Sequence, residues 1–248
     1  MGDGHDLGTD NGRRRHWPLL DLVVRTPRLE LRYPDEGLLL ELAEVATGAI
    51  HRPETMPFSI PWSDAEPALR GRGALQHAWR ARGVWTPAAW DCSFVTVVDG
   101  VVVGTQTMEA EAFAVTRTVS TGSWLGMAHQ GRGVGREMRA AVLHLAFAGL
   151  GAERAQSAAF EDNPASLGVS RALGYTENGD AIHTRRDAAG RLIRLLLTRP
   201  AWQACRREDI TVEGLEPCLG LFGSVAGPPG QPPLPAASTG QPVTGQGR

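Results

Sequence analysis

The rhythm of apolar and polar positions changes several times along this chain, and each change marks an element. Arg28-Leu29-Glu30-Leu31-Arg32 alternates polar and apolar, the period of a half-buried strand. From Pro34-Asp35 the period lengthens to a helical one. Leu38, Leu39, Leu42, Val45 and Ala46 share one stripe, and the carboxylates Asp35 and Glu36 favour the helix N-terminus. Ala65 to Arg82 reads as a second helix on a weaker stripe. Ser93 to Val98 and Val101 to Thr105 are β-rich runs joined by Asp99-Gly100, a pair that accepts the positive φ angles of a tight hairpin turn. Val119 to Ala128 predicts another strand, and Arg136 to Gly149 returns to helical spacing, with Met138, Ala141, Val142, Leu145 and Ala146 together. Arg154 to Phe160 is a short strand of small residues, and Pro164 to Leu173 a short helix stopped by Gly174. Ile182 to Thr184 and Leu192 to Thr198 flank Asp187-Ala188-Ala189-Gly190 as a closing hairpin. This order predicts an α/β (α+β) domain, a mixed sheet with helices on its faces.

Composition narrows the setting. Apolar residues at 42% and charged residues at 21% are ordinary globular usage and enough for a core. The ends differ: residues 1–17 and 224–248 are rich in Gly, Pro, Ser and Gln and read as a disordered leader and tail around one domain at 18–223. A net charge of -2 gives no general attraction to polyanions, so nucleic acid and membrane surfaces lose their simplest support as partners. Arg13-Arg14-Arg15, the dense basic run, falls in the leader and is expected in solvent. Cys92, Cys205 and Cys218 are widely spaced, with no pairing that suggests a disulfide framework or a metal site. No apolar run approaches the ~18 residues of a membrane span, and the first residues carry no apolar signal region, so a cytoplasmic protein is expected. Monomer and homodimer both stay open.

The chemistry concentrates in Gln130-Gly131-Arg132-Gly133-Val134-Gly135, between the strand ending Trp124-Leu125-Gly126-Met127-Ala128-His129 and the helix that follows. Strand, glycine loop and helix make an anion trap. The first N–H groups of a helix lack intrahelical partners, and the helix dipole adds about +0.5 charge there. Glycines bring the backbone close to a ligand, while Arg132 and Arg136 add mobile positive charge. A dinucleotide fingerprint would need a third glycine where Arg136 stands, and a phosphate loop would need Gly-Lys-Ser/Thr, which is absent. The plain alternative is a glycine-rich connection without a ligand.

Gln130-x-x-Gly133-x-Gly135 resembles the Q/R-x-x-G-x-G/A signature of the GNAT superfamily of N-acetyltransferases. Thr26-Pro27-Arg28-Leu29, Asn163-Pro164-Ala165-Ser166 and Leu173-Gly174-Tyr175 extend the likeness to the branch similar to ribosomal-protein N-terminal acetyltransferases, over about residues 22–200. The resemblance implies a mostly antiparallel sheet with splayed middle strands. It implies acetyl-CoA as cosubstrate, its pyrophosphate on the amides of Gly131 to Arg136 and its pantetheine arm in the opening. Leu125, Gly126 and Met127 would offer the arm backbone groups, with an N–H near Met127 for the oxyanion. Asn163 would bond the cosubstrate near its thiol end, although Asn before Pro is also a good helix cap.

Direct transfer to an amine needs the amine unprotonated, whereas alkyl amines have pKa about 10.4 and α-amino groups about 8. Glu109 and Glu111 follow the central hairpin, where they would attract the cation and accept its proton; solvated surface carboxylates are the bland alternative. Many members of the family place a tyrosine seven residues after the asparagine to protonate the leaving thiolate. Ser170 stands there in this chain, so Ser166 or Ser170 must serve if any side chain does. His129 and the tryptophans at 62, 79, 85, 90, 124 and 202 are read as packing residues by default. No metal is implied. The function expected is an acetyl-CoA-dependent N-acetyltransferase acting on a protein N-terminus or small amine. A non-catalytic acyl-CoA-binding module and a nicotinamide-dependent oxidoreductase are the alternatives.

Overall fold

A computed structural model describes residues 9–224. Residues 1–8 and 225–248, which hold the first part of the expected leader and nearly all of the expected tail, lie outside the described residues. Part of the leader departs from expectation: Thr9–His16 form a helix, α1, and Arg14 pairs with Asp21 in the next turn.

The chain then runs through β1 (Val23–Arg25), β2 (Leu29–Arg32), α2 (Glu36–Thr47), α3 (Pro67–Gly83), β3 (Ala89–Val98), β4 (Val101–Glu111), the single turn α4 (Phe113–Thr116) and β5 (Thr118–Leu125). After it come α5 (Val134–His144), β6 (Arg154–Phe160), α6 (Pro164–Ala172), β7 (Thr176–Arg185), β8 (Ala188–Thr198), α7 (Arg199–Cys205) and β9 (Thr211–Glu213). The local reasons are those the sequence offers. Asp35 accepts from the Leu38 amide as the cap of α2, and Asp99 and Gly100 take φ of 50° and 78° in the central hairpin. Gly174, at φ 86°, ends α6.

One sheet holds all nine strands in the order β7-β8-β6-β5-β4-β3-β2-β1-β9. Every neighbouring pair is antiparallel except β5 and β6, which run parallel. The larger core lies on the α5 face, where Leu31, Phe94, Met108, Val119, Met138 and Val142 meet. A smaller one under α2 joins Leu42, Val95, Val97 and Val102.

The parallel pairing is short. Thr118, Val119 and Ser120 oppose Arg154, Ala155 and Gln156, and beyond them the strands part, so Thr121 to Leu125 have no strand partner on that side. On its other side β5 stays close to β4: a Cβ added at Gly104 would lie 2.2 Å from the Trp124 carbonyl oxygen.

Candidate active site

The open end of the wedge between β5 and β6 meets the glycine loop. Gly131 and Gly133 have φ of 72° and 81°, a conformation that penalises a Cβ, and they turn the chain into α5. Gly131 faces open space, and Gly131, Arg132, Gly133 and Arg136 are exposed, while Val134 is buried beneath them. Among the described residues no protein acceptor takes a hydrogen bond from the amides of Gly131 to Arg136, whereas the next amide, Glu137, bonds the Gly133 carbonyl at 3.1 Å. The helix begins against solvent, with a row of donors free for an anion.

This loop is held from behind. Glu137, 4% exposed, accepts from Thr26 Oγ1 at 2.7 Å and Arg28 Nε at 2.6 Å, and Arg28 Nη1 also reaches the Arg132 carbonyl at 3.2 Å. Burial pushes the Glu137 carboxyl pKa up, but the bonds from Thr26 and Arg28 outweigh it and hold the group below its ordinary value. Gln130 does a similar job in front: its Nε2 donates to the Ile50 and Leu125 carbonyls at 2.7 and 2.8 Å. The Gln130 side chain therefore ties the end of β5 to residue 50 and points at the backbone.

At the closed end of the wedge, on the face away from α5, lies a cleft of about 840 Å³. Asp91, Glu109 and Glu111 line it, together with Ser120 of β5 and Gln156 of β6. Asp91 and Glu109 are opposed across β3 and β4, and Glu109 is opposed to Ser120 across β4 and β5, so the side chains form a row on one face. Burial pushes the Glu109 pKa up, Asp91 and Glu111 push the same way, and His77 opposes them. His77 stands 3.4 Å from Asp91. A raised pKa in a cleft suits a group that must take up a proton.

Other expected roles are redrawn. The Met127 amide donates to the Ala49 carbonyl at 2.8 Å and the Gly126 amide to Val103 at 2.9 Å, so neither is free for an arm or an oxyanion; the Leu125 carbonyl is engaged by Gln130. Asn163 is the cap of α6, its Oδ1 accepting from the Ser166 amide at 3.1 Å. Ser166 is half-buried at that first turn, and Ser170 is fully buried and accepts from Arg139 Nη1 at 3.2 Å, which places it on the α5 side of the sheet and away from the acidic cleft. β4 runs on to Glu111, so Glu109 and Glu111 belong to the hairpin strand itself instead of following it, and they share the cleft wall.

Asp91 and Arg139 were not singled out by sequence. Asp91 sits at the start of a β-rich run with no motif around it. Arg139 carries a readable signal, a charge on the buried stripe of α5 between Met138 and Val142.

The wedge is roofed on the cleft side. Trp124 of β5 packs on Trp62, and Trp62 on Phe58, with ring centroids 5.5 and 5.2 Å apart. The turn between β7 and β8 reaches over to the same segment: Arg186 makes two bonds to Asp64 at 2.7 and 2.8 Å, and Arg185 pairs with Asp162 while bonding the Met56 carbonyl. That turn lies at Arg186-Asp187, earlier than the sequence predicted, with Arg186 at φ 52°.

A glycine loop at a helix start, beside parallel strands that part after three residue pairs, is a fold-defining arrangement, and residues 28–176 match the acetyltransferase (GNAT) domain family. The chain belongs to the GNAT acetyltransferase family. Solved structures agree in fold. A putative ribosomal-protein-serine acetyltransferase from Vibrio cholerae is 19% identical with a TM-score of 0.55, over 71% of this chain and 97% of that one. A ribosomal L7/L12 α-N-protein acetyltransferase in complex with coenzyme A is 16% identical with a TM-score of 0.55, over 72% and 99% of the two chains. Mutant forms of a spermidine/spermine N-acetyltransferase from Vibrio cholerae give 16% and 0.55, over 71% and 97%. Within this GNAT domain no described helix is long and apolar enough to cross a membrane.

Proposed function

We propose that this GNAT protein transfers an acyl group, acetyl from acetyl-CoA in the simplest case, directly to a primary amine on a cationic acceptor such as a protein N-terminus or a small polyamine. The observation that carries the reading is the row of unpartnered amides from Gly131 to Arg136 at the open end of a wedge whose closed end adjoins an acidic cleft. A pyrophosphate on those amides leaves an extended arm free to run along the unpaired edge of β5 toward Ser120. Its thioester end then faces Glu109.

Asp91, Glu109 and Glu111 draw in an ammonium group, and Glu109 accepts a proton from the amine directly or through one water. The neutral amine attacks the thioester carbonyl, the C–S bond breaks, and the thiolate leaves with the electron pair. Neighbours named for acting on ribosomal protein and on spermidine or spermine agree with a cationic acceptor.

Thiol release followed across a panel of N-terminal peptides and polyamines tests the proposal. Turnover with cationic amines and none with neutral alcohols is expected. CoA binding without turnover on any acceptor would point instead to an acyl-CoA-binding module.

A further inference from the structure

Arg139 of α5 is a buried cation without a counter-ion. Its side chain is 4% exposed, and its hydrogen bonds are all to neutral hydroxyls: Nη1 to Ser157 at 3.1 Å and Ser170 at 3.2 Å, Nη2 to Ser123 at 3.2 Å. Its Nε is buried with no acceptor, and among the described residues no carboxylate pairs with it. Desolvating a charge is costly unless an opposite charge meets it. Burial lowers the pKa of Arg139, yet a guanidinium stays protonated at neutral pH.

The three hydroxyls belong to β5, β6 and α6, the elements around the place where the sheet parts. Thr121 and Tyr175 add hydroxyls there, 3.4 Å apart, so the closed end of the wedge is polar on its α5 side. An arm running from the glycine loop along β5 would bring its thioester toward this end, where the part of the acyl group beyond the carbonyl would adjoin the hydroxyls and the guanidinium. A bare methyl meets no matching partner there, whereas a carboxylate supplies the charge and the acceptor that Arg139 lacks.

We propose that the preferred donor is an acyl-CoA whose acyl group ends in a free carboxylate, of the malonyl or succinyl class, and that Arg139 recognises that carboxylate. The inference rests on the CoA reading of the loop given above. The transfer balances as before: the amine nitrogen bonds the thioester carbon, the thiolate leaves with its electrons, and the amine proton passes to Glu109. The distal carboxylate is carried unchanged into the amide, so a cationic amine becomes an anionic product.

Titration calorimetry of the intact protein with acetyl-CoA, malonyl-CoA and succinyl-CoA decides the matter. The expected result is that one of the two carboxylated esters binds about tenfold or more tightly than acetyl-CoA. Arg139→Met should abolish that gap while acetyl-CoA affinity holds, and Arg139→Lys, which keeps the charge, should retain part of it. Equal or tighter binding of acetyl-CoA by the unaltered protein overturns the donor assignment alone, even if the variants fail to fold. A uniform loss for all three esters in Arg139→Met reduces Arg139 to a brace between strands and also overturns it. Failure of every ester to bind the unaltered protein overturns the CoA reading, and the donor assignment with it.

Discussion

Glu109 stands between Asp91 and Glu111 on a cleft wall, and its burial, with this company adding to it, sets the pH at which it can accept a proton. With its folded pKa raised, the protonated form is favoured in the folded state. Its stabilising contribution is complete below the unfolded carboxylate value and is lost as pH rises through the folded value. Glu109→Gln should therefore leave the protein at least as stable at neutral pH while lowering kcat by about 10² to 10⁴; a melting curve and a thiol-release assay on one sample check both halves. The acid limb of kcat/KM should lie above the ordinary carboxylate range and disappear in the variant. Glu137 behaves oppositely. Its lowered pKa gives stability above the unfolded value that is lost as pH falls through the folded one. Removing the acceptor with Glu137→Ala should cost about 2 kcal/mol in denaturant titration, since bonds from Thr26 and Arg28 lose their partner. The position of Glu109 near the cleft was legible because a recognisable hairpin carries it, within β4. The burial of Ser170 was not legible, because sequence gives the helix but not its buried face, where Arg139 donates to the hydroxyl.

At the scale of elements, α5 separates two kinds of glycine. Gly133 has a left-handed φ, and a Cβ there meets Arg28 Nη2 at 3.3 Å, so Gly133→Ala should destabilise by about 1 to 2 kcal/mol before any ligand is added. Gly135 is helical, and a Cβ there finds only ordinary contacts with Leu125 and Val169 at 3.9 and 4.0 Å. Gly135→Ala should keep or raise stability, by up to about 1 kcal/mol, yet weaken CoA binding if the backbone must lie against the ligand. Chemical denaturation beside calorimetry separates the two effects, and unchanged affinity in Gly135→Ala would remove that glycine from the site. Long amphipathic segments such as α2 and the central hairpin were readable because their periodicity agrees with their burial. The strands toward the ends of the sheet were not, beyond Ile182 to Thr184. β1 and β9 have three residues each, and β7 is almost wholly exposed, so TENGDAIHTR shows little alternation of apolar and polar positions. Such strands are set by pairing with neighbours, which a single sequence does not display.

On the scale of the whole molecule, the clasp between Arg186 and Asp64 is a surface pair, and pairs of this kind contribute little to global stability. Arg186→Ala should leave Tm nearly unchanged while amide exchange over residues 50–64 accelerates and KM for the acceptor shifts. Unaltered exchange would show the aromatic contacts of Trp62 and Phe58 to be sufficient. The sheet as a whole resembles a book stitched by three threads, the pairs Thr118 with Arg154, Val119 with Ala155 and Ser120 with Gln156. Covers joined so sparingly gape when nothing lies between the pages, and a molecule filling the gap at one hundred times its Kd adds about 2.7 kcal/mol against unfolding. On the function proposed above, the cell's supply of the thioester would become a term in the protein's own survival, since a smaller unfolded fraction is a smaller target for proteases.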